Sequence, residues 1–449
     1  MDDRLALMDQ GSFLGLRALG HQPWTFFTWV YDRPVDLEAL QRFNEALADT
    51  LLGRLVQRSP LPGGRHRWVA VDAVPPLEVE QVPRSRDEIH DWTDELGDRG
   101  VDPEHGPGWR IGVLPLTDGG TAVAMVSPHA LGDGLCKLDA IADAVKGVAR
   151  RPVYRPRGAR PWRELLWSDL VTFVRELPAV ARAVIAGIAV ARAESAGSAP
   201  ASSPTPQRES AALPPVEPES FHPAAACVRV TRADWDAAAA RLGGTSNTLV
   251  SAFAARLAQR FGRTDADGRV ALAVPVSVRV EGDTRANALD SVTVHADPRG
   301  LDRDLTGLRA ATKTALRERA ERPHDMLAVL PLVPITPPVV VRRAEQLAMG
   351  STSSPVGCSN HGRLDPAIMR IDGAAPVDFW VRSAEPGQTA AELDRLGGKL
   401  YVLAGGALDA VYLSVIAHPV GGGLDRPELH DHVAATLTDF GLTPSSVTR

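Results

Sequence analysis

Apolar positions along the chain alternate between short β-type runs and helical stripes. Trp24–Tyr31 is an aromatic, β-rich run of the kind that packs well on a pleated sheet. Asp36 then caps a helix whose Leu37, Leu40, Leu47 and Leu51 follow helical spacing. Thr121–Ser127 (TAVAMVS) reads as a buried strand, and after His129–Gly134 the residues Leu135, Leu138, Ile141, Val145 and Val148 mark an amphipathic helix. In the second half, Leu249, Val250, Phe253, Leu257 and Phe261 define another helix, opened by Ser246 or Asn247 as cap. Val270–Arg279 reads as a strand, and LYVLA, GGALD and AVYLSVIA read as strand, turn and strand.

This pattern stops between Ala193 and Pro223, where Ala, Ser and Pro dominate without apolar periodicity. The stretch 196–222 is a flexible linker on this reading, dividing the chain into halves 1–195 and 223–449. No period of 20–50 residues is visible, which excludes solenoids and propellers. The expected class is α/β, of the α+β kind, with two sandwich-like halves.

The segment Arg150–Arg192 stands apart. It carries Arg150, Arg151, Arg155, Arg157, Arg160 and Arg163, followed by the apolar run LPAVARAVIAGIAVARA. A surface helix packing its Ala/Val face on its own domain is the expectation. A basic amphipathic stretch is also suited to anionic lipid, or to an acidic carrier protein.

Composition narrows the classes. At 449 residues the length fits two or three domains of about 150 residues each. With 44% hydrophobic and 23% charged residues, a globular chain with a large core is expected rather than a disordered one. Basic residues number 49 and acidic residues 55, so a nucleic-acid partner, which calls for a basic excess, is not expected. Cys136, Cys227 and Cys358 are odd in number and form no CxxC pair, which argues against a disulfide framework and structural zinc and for a cytoplasmic setting. MDDRLALMDQ has neither the basic nor the apolar region of a signal peptide, and no tract reaches the roughly 18 uncharged apolar residues of a membrane span.

The strongest chemical signal is Ser-Pro-His129-Ala-Leu-Gly-Asp133-Gly134, an HxxxDG string where a strand ends and a helix begins. A loop there can project an imidazole into a cleft while Gly134 permits a tight turn. Asp133 is placed either to lock the loop through an arginine or simply to cap the helix, and spacing alone does not separate the two. Other strings are weaker. His430-Asp431-His432 has no neighbouring ligand set and reads as a solvated helix face, so no metal is expected. Gly357-x-Ser359-x-x-Gly362 is one residue too long for a nucleophile elbow, and Leu396-Gly-Gly-Lys399 is no phosphate loop. His324-Asp325 and His418 show no recognisable partners and read as structural or surface residues.

HxxxDG in a chain of this length, with two α/β halves, resembles the chloramphenicol acetyltransferase-like superfamily. It is most similar to the bacterial wax ester synthase/diacylglycerol acyltransferase family. Further strings follow that family's order: Pro107-Gly108-Trp109, Asn247-Thr248-Leu249-Val250, Pro275-Val276-Ser277-Val278-Arg279, Ala286-Asn287 and Gly357-Cys358-Ser359-Asn360. DQGSFL at the start and LPGGRHRWV also look similar. Departures are Pro128 in place of a first histidine, Asn-Thr in place of Asn-Asp, and His361-Gly362-Arg363 after the Ser-Asn loop.

The resemblance implies two sandwich lobes facing each other across an active-site tunnel. His129 would be the general base of acyl transfer, and Asp133, Gly134 and Arg279 would support it, with Arg279 as the ion-pair partner of Asp133. Asn287, Ser359 and Asn360 would contact substrate. The donor would be a CoA thioester, with no metal or bound cofactor, and a hydroxyl-bearing small molecule or lipid would accept the acyl group. Two other readings stay open: a condensation enzyme of natural-product assembly fed by acyl carrier protein, and a silent member that binds an acyl chain or a partner protein. A peripheral membrane contact is compatible with the first.

Overall fold

A computed structural model describes residues 3–197, 221–321, 328–349 and 355–445. Most of the linker expected at 196–222 lies outside the described residues, as do His324 and Asp325. The first half contains α1 (Leu7–Leu19), β1 (Trp24–Tyr31), α2 (Leu37–Leu47), β2 (Arg54–Gln57), β3 (Arg67–Ala70), β4 (Leu77–Val79), α3 (Ile89–Asp98), β5 (Arg110–Pro115), β6 (Thr121–Pro128), α4 (Gly134–Lys146) and α5 (Trp162–Gly197). The second contains β7 (Ala224–Thr231), α6 (Arg232–Arg241), α7 (Ser246–Arg260), β8 (Val270–Ser277), β9 (Leu289–Ala296), α8 (Thr306–Glu321), α9 (Pro338–Met349), β10 (Val356–Arg363), β11 (Asp378–Ala384), α10 (Ala390–Arg395), β12 (Lys399–Ala407), β13 (Ala410–His418) and α11 (Arg426–Asp439).

Two large sheets organise the two lobes, with strand orders β11-β1-β6-β5-β4 and β7-β13-β12-β10-β8-β9, and β2 and β3 form a separate two-stranded sheet. Strands β1 and β6 lie inside the first sheet with both faces covered, so nearly every side chain is buried and the sequence runs apolar instead of alternating. In the second lobe, Phe253 and Leu257 of α7 and Val433 and Leu437 of α11 share one core with Val402 and Leu413 of the sheet. Asp36 caps α2 as expected, accepting from the amides of Glu38 and Ala39.

The chain-order division fails at one strand. β11 belongs to the second half in sequence but pairs with β1 in the first sheet, from Trp24 opposite Ala384 to Val30 opposite Asp378. Residues 378–384 therefore stitch the lobes together at a sheet edge, which buries the edge of β1.

One local expectation is corrected. The cap of α7 is Thr245, whose side chain accepts from the Thr248 amide. Ser246 instead accepts from the Trp235 indole, and Asn247 pairs with Asn360. Helix α5 forms and packs its Ala/Val side as expected, with Ala183 buried and Ala179, Val180 and Ala186 half-buried, next to the 3-10 turn Leu330–Ile335, but a second apolar side stays open. Leu165, Asp169 and Ala183 are buried, while Trp162, Trp167, Leu170, Val174, Leu177, Ile185 and Ile188 are exposed. No described helix is long and apolar enough to cross a membrane.

Candidate active site

Strand β6 ends at Pro128, and His129 begins a single 3-10 turn (His129–Leu131) before α4. The His129 amide donates to Pro23 O at 3.0 Å, tying the turn to the start of β1. Asp133 caps α4, Oδ1 accepting from the Cys136 amide at 2.8 Å. Its other oxygen crosses to the second lobe, accepting from Arg279 Nη2 at 2.8 Å and from the Ala288 amide at 2.9 Å. Capping and locking are thus done by opposite oxygens of one buried carboxylate. Arg279 is held in turn, donating to the carbonyls of Arg285 and Ala286.

The segment 284–288 of the second lobe is gripped from the first. Asp9 on α1 is fully buried and accepts from the amides of Ala286 (3.0 Å) and Asn287 (2.7 Å). The Asp133 amide donates to Ala286 O at 2.9 Å. Arg54, also fully buried and stacked 4.1 Å over Trp68, donates to Thr284 O. Burial raises the Asp9 carboxyl against the lowering effect of those amides and of Arg54. Trp109 of the Pro-Gly-Trp string is buried, with its indole donating to Asn44 Oδ1 at 2.8 Å.

Behind His129 sits Lys137, fully buried, whose ammonium donates to Thr25 Oγ1 and to Ser127 O. Burial pulls this lysine down to about 7. His129 itself is held down to about 4, first by burial and then by the Lys137 charge, against the opposing pull of Asp133 and Asn287. The ring is therefore neutral near pH 7, with a lone pair free to take a proton.

A cavity of about 110 Å³ lies between the lobes. Thr25, His129, Gly134 and Leu135 line it from the first lobe, and Pro275, Ser277, Ser359, Asn360, His361 and Tyr401 from the second. It shares Leu135 and Ser277 with a 460 Å³ cavity bearing Asp139, Asp143, Arg150 and Asp283. It shares Pro275, Ser277 and Asn360 with another 460 Å³ cavity bearing Val274, Leu316, Arg309 and Lys313. His129 thus lines a small cavity, the waist, that borders an acidic cavity and a basic, more apolar one through shared lining residues.

Each residue singled out in the sequence has a definite place. His129 and Gly134 line the waist, as do Ser359 and Asn360, while Asp133 and Arg279 form the ion pair beside it. Asn360 donates to Asn247 Oδ1 and accepts from the Gly362 amide. Asn287 is buried, with its backbone amide donating to Asp9, and it is not among the residues that line this cavity. Arg54, Lys137 and Tyr412 were not singled out, while Asp9 entered only as the start of DQGSFL and His361 only as a departure after the Ser-Asn loop. A signal existed for Lys137, one of only four lysines in the chain, inside the apolar stripe of α4. His418, expected to lack a partner, is buried and paired with Asp394 at 2.9 Å. His432 packs edge-on against Phe261.

No protein-family profile matches the sequence, and no curated protein matches it. Solved structures do. The TRI3 trichothecene 15-O-acetyltransferase of Fusarium sporotrichioides superposes with a TM-score of 0.58 at 12% identity, covering 96% of this chain and 93% of that one. The wax ester synthase/diacylglycerol acyltransferase of Marinobacter aquaeolei VT8 gives 0.54 at 16% identity over 97% and 98%. The first condensation domain of the calcium-dependent antibiotic synthetase gives 0.54 at 14% over 99% and 97%. Of the longer nonribosomal peptide synthetase FmoA3, this chain spans 43%, with a TM-score of 0.51 at 18% identity. The chain therefore has the two-lobed fold shared by these acyltransferases and condensation domains, as its motifs led one to expect.

Proposed function

We propose that the protein is an acyltransferase that moves an acyl group from a thioester to a hydroxyl acceptor, with His129 as general base. The observation that carries this reading is a neutral imidazole lining the small cavity between the lobes, beside two larger cavities that share lining residues with it. The neutral His129 ring takes the hydroxyl proton as the acceptor oxygen bonds to the thioester carbon. The carbonyl π pair moves to oxygen, then returns as the C–S bond breaks, and the imidazolium hands its proton to the departing sulfur. Asp133 and Arg279 hold the loop and carry no proton. Ser359 and Asn360 contact substrate at the waist.

The cavity with Arg309 and Lys313 suits the phosphates of a CoA arm. The acceptor then comes past Asp139 and Asp143. No metal or bound cofactor takes part in this reading. A carrier-protein donor is the second reading, but the arginines that would receive an acidic carrier are largely engaged. Arg150 pairs with Asp143, Arg151 with Asp49 and Arg160 with Asp3, while Arg157 donates to Val56 O. The exposed apolar side of α5 supports a resting place on a lipid surface for an acceptor of low solubility.

Thiol release from short- and long-chain acyl-CoAs, with and without alcohol and amine acceptors, tests the proposal. Acceptor-dependent release that disappears in His129→Ala is expected. Equal release by the variant removes His129 as base, and release with acyl carrier protein alone moves the donor to the second reading.

A further inference from the structure

The waist holds a second imidazole that the proposed mechanism does not use. His361 lies at an irregularity in the ladder between β10 and β12: Asn360 pairs with Ala404, but the next pair is Arg363 with Gly406. Two residues of β10, His361 and Gly362, therefore oppose one of β12, and Gly362 adopts φ +68° to allow it. Bulges of this kind re-aim a side chain, and here the ring turns into the cavity between the lobes.

Both ring nitrogens are accommodated by missing side chains. A Cβ on Gly134 would fall 2.3 Å from His361 Nε2, and a Cβ on Gly405 would fall 2.4 Å from the Tyr412 hydroxyl. That hydroxyl lies 3.1 Å from His361 Nδ1. Tyr412 is buried, and among the described residues its hydroxyl has no other hydrogen-bond partner. A buried O–H must donate somewhere, so it donates to Nδ1 and the proton of the neutral ring sits on Nε2. The result is an N–H donor fixed in direction, at the first residue of α4, in the same small cavity as His129. Burial keeps the ring uncharged near neutral pH, holding it down to about 4.

We propose that His361 is a catalytic residue whose Nε2–H donates to the thioester carbonyl oxygen and to the oxyanion formed from it, with Tyr412 as the positioning residue that sets the tautomer. This deepens the acyl-transfer reading and rests on it. No proton changes hands at His361. The donor stays bonded to nitrogen while the negative charge builds on oxygen and disperses again as the C–S bond breaks. A preorganised donor aimed at developing charge in a water-poor site contributes more to the transition state than to the ground state.

The test combines kinetics with nitrogen-15 spectra of histidine-labelled protein. His361→Ala is expected to lower kcat by about 100- to 1000-fold, the usual loss of one oxyanion donor, with KM for the acyl-CoA little changed. His361→Gln, which restores an N–H donor, is expected to recover at least part of that loss. The wild-type spectrum is expected to show His361 as the Nε2–H tautomer, and Tyr412→Phe to mix the two tautomers and lower kcat. A His361→Ala enzyme with wild-type kcat overturns the proposal while leaving His129 in place. So does an Nδ1–H tautomer in the wild type, a result that stands even if the alanine variant fails to fold. Wild-type protein that transfers no acyl group from any thioester overturns the acyl-transfer reading itself, and this role with it.

Discussion

Asp133 and Arg279 join the lobes at the site, with Oδ2 and Nη2 2.8 Å apart and both side chains nearly closed to solvent. The carboxylate caps α4 with one oxygen and takes the guanidinium and the Ala288 amide with the other. Arg279→Ala leaves that charge buried without its partner, which typically costs about 3–5 kcal/mol. Denaturant unfolding is expected to show this loss for Arg279→Ala. His129→Ala, which strands no charge, is expected to remain near wild-type stability while abolishing transfer. Equal stability of the Arg279 variant would mean that the pair is not the clasp described here.

The acid limb of the activity profile follows from the neutral ring of His129. Because its ionisation is held down to about 4, kcat/KM is expected to stay flat from neutral pH downward. The fall comes near pH 4 instead of near the ordinary 6.5 of histidine. Short pH-jump assays, quenched before unfolding, measure this. A limb at 6.5 would show that burial and Lys137 do not act on the ring as the structure has them.

The charge of Lys137 lowers the His129 ionisation further, after burial itself. Lys137→Met keeps most of the side-chain volume and removes the cation, so the acid limb of the profile is expected to move to higher pH. Near pH 8, where His129 is neutral in both proteins, the base is equally available. A limb that stays in place would confine Lys137 to holding Thr25 and Ser127 together.

The elements that were legible in the sequence are those whose pattern is local. Trp24–Tyr31 and the Asp36-capped helix are set by nearest-neighbour residues, and the structure returns them where the pattern put them. The pairing of Arg279 with Asp133 came only through resemblance, since nothing between residues 133 and 279 dictates it. β11 was invisible as part of the first lobe because strand pairing across 350 residues leaves no local trace. Asp9 was hidden for a related reason. A buried aspartate on α1 reads as an ordinary helix acid until the amides of residues 286 and 287 are seen to converge on it. The second, exposed apolar side of α5 was not foreseen because periodicity gives the existence of an apolar stripe and not what covers it.

Stability should fall steeply in mild acid. His66, His129 and His361 are each held down to about 4 and His90 to about 3, in every case chiefly by burial. Below about pH 6.5 the unfolded chain binds these protons and the native protein does not, so the stability they contribute is present above 6.5 and is lost as pH falls toward 4. With four such groups, unfolding near pH 5 takes up close to four protons, and the slope of stability with pH scales with that number, partly offset by buried carboxyls such as Asp9 and Asp378, whose ionisation is raised. Unfolding free energies measured at intervals between pH 4 and 7.5 check the sign and the slope. A flat profile would mean that these rings are solvated in the native protein.

Gly134 tests the packing of His361 independently of any activity. It is the first residue of α4 and is not in a left-handed conformation, so alanine there suits the backbone. The obstacle is the His361 ring, 2.3 Å from the new methyl. Gly134→Ala is expected to cost about 1–3 kcal/mol, as overpacking of a filled site does. In the Gly134→Ala/His361→Ala double variant the methyl enters the space that the ring has left, so the two losses should sum to more than the loss measured for the pair. A coupling of about 0.5–3 kcal/mol is the range for residues in contact. Strict additivity in denaturant unfolding would place the ring elsewhere, and the donor assigned to it would lose its fixed direction at the waist.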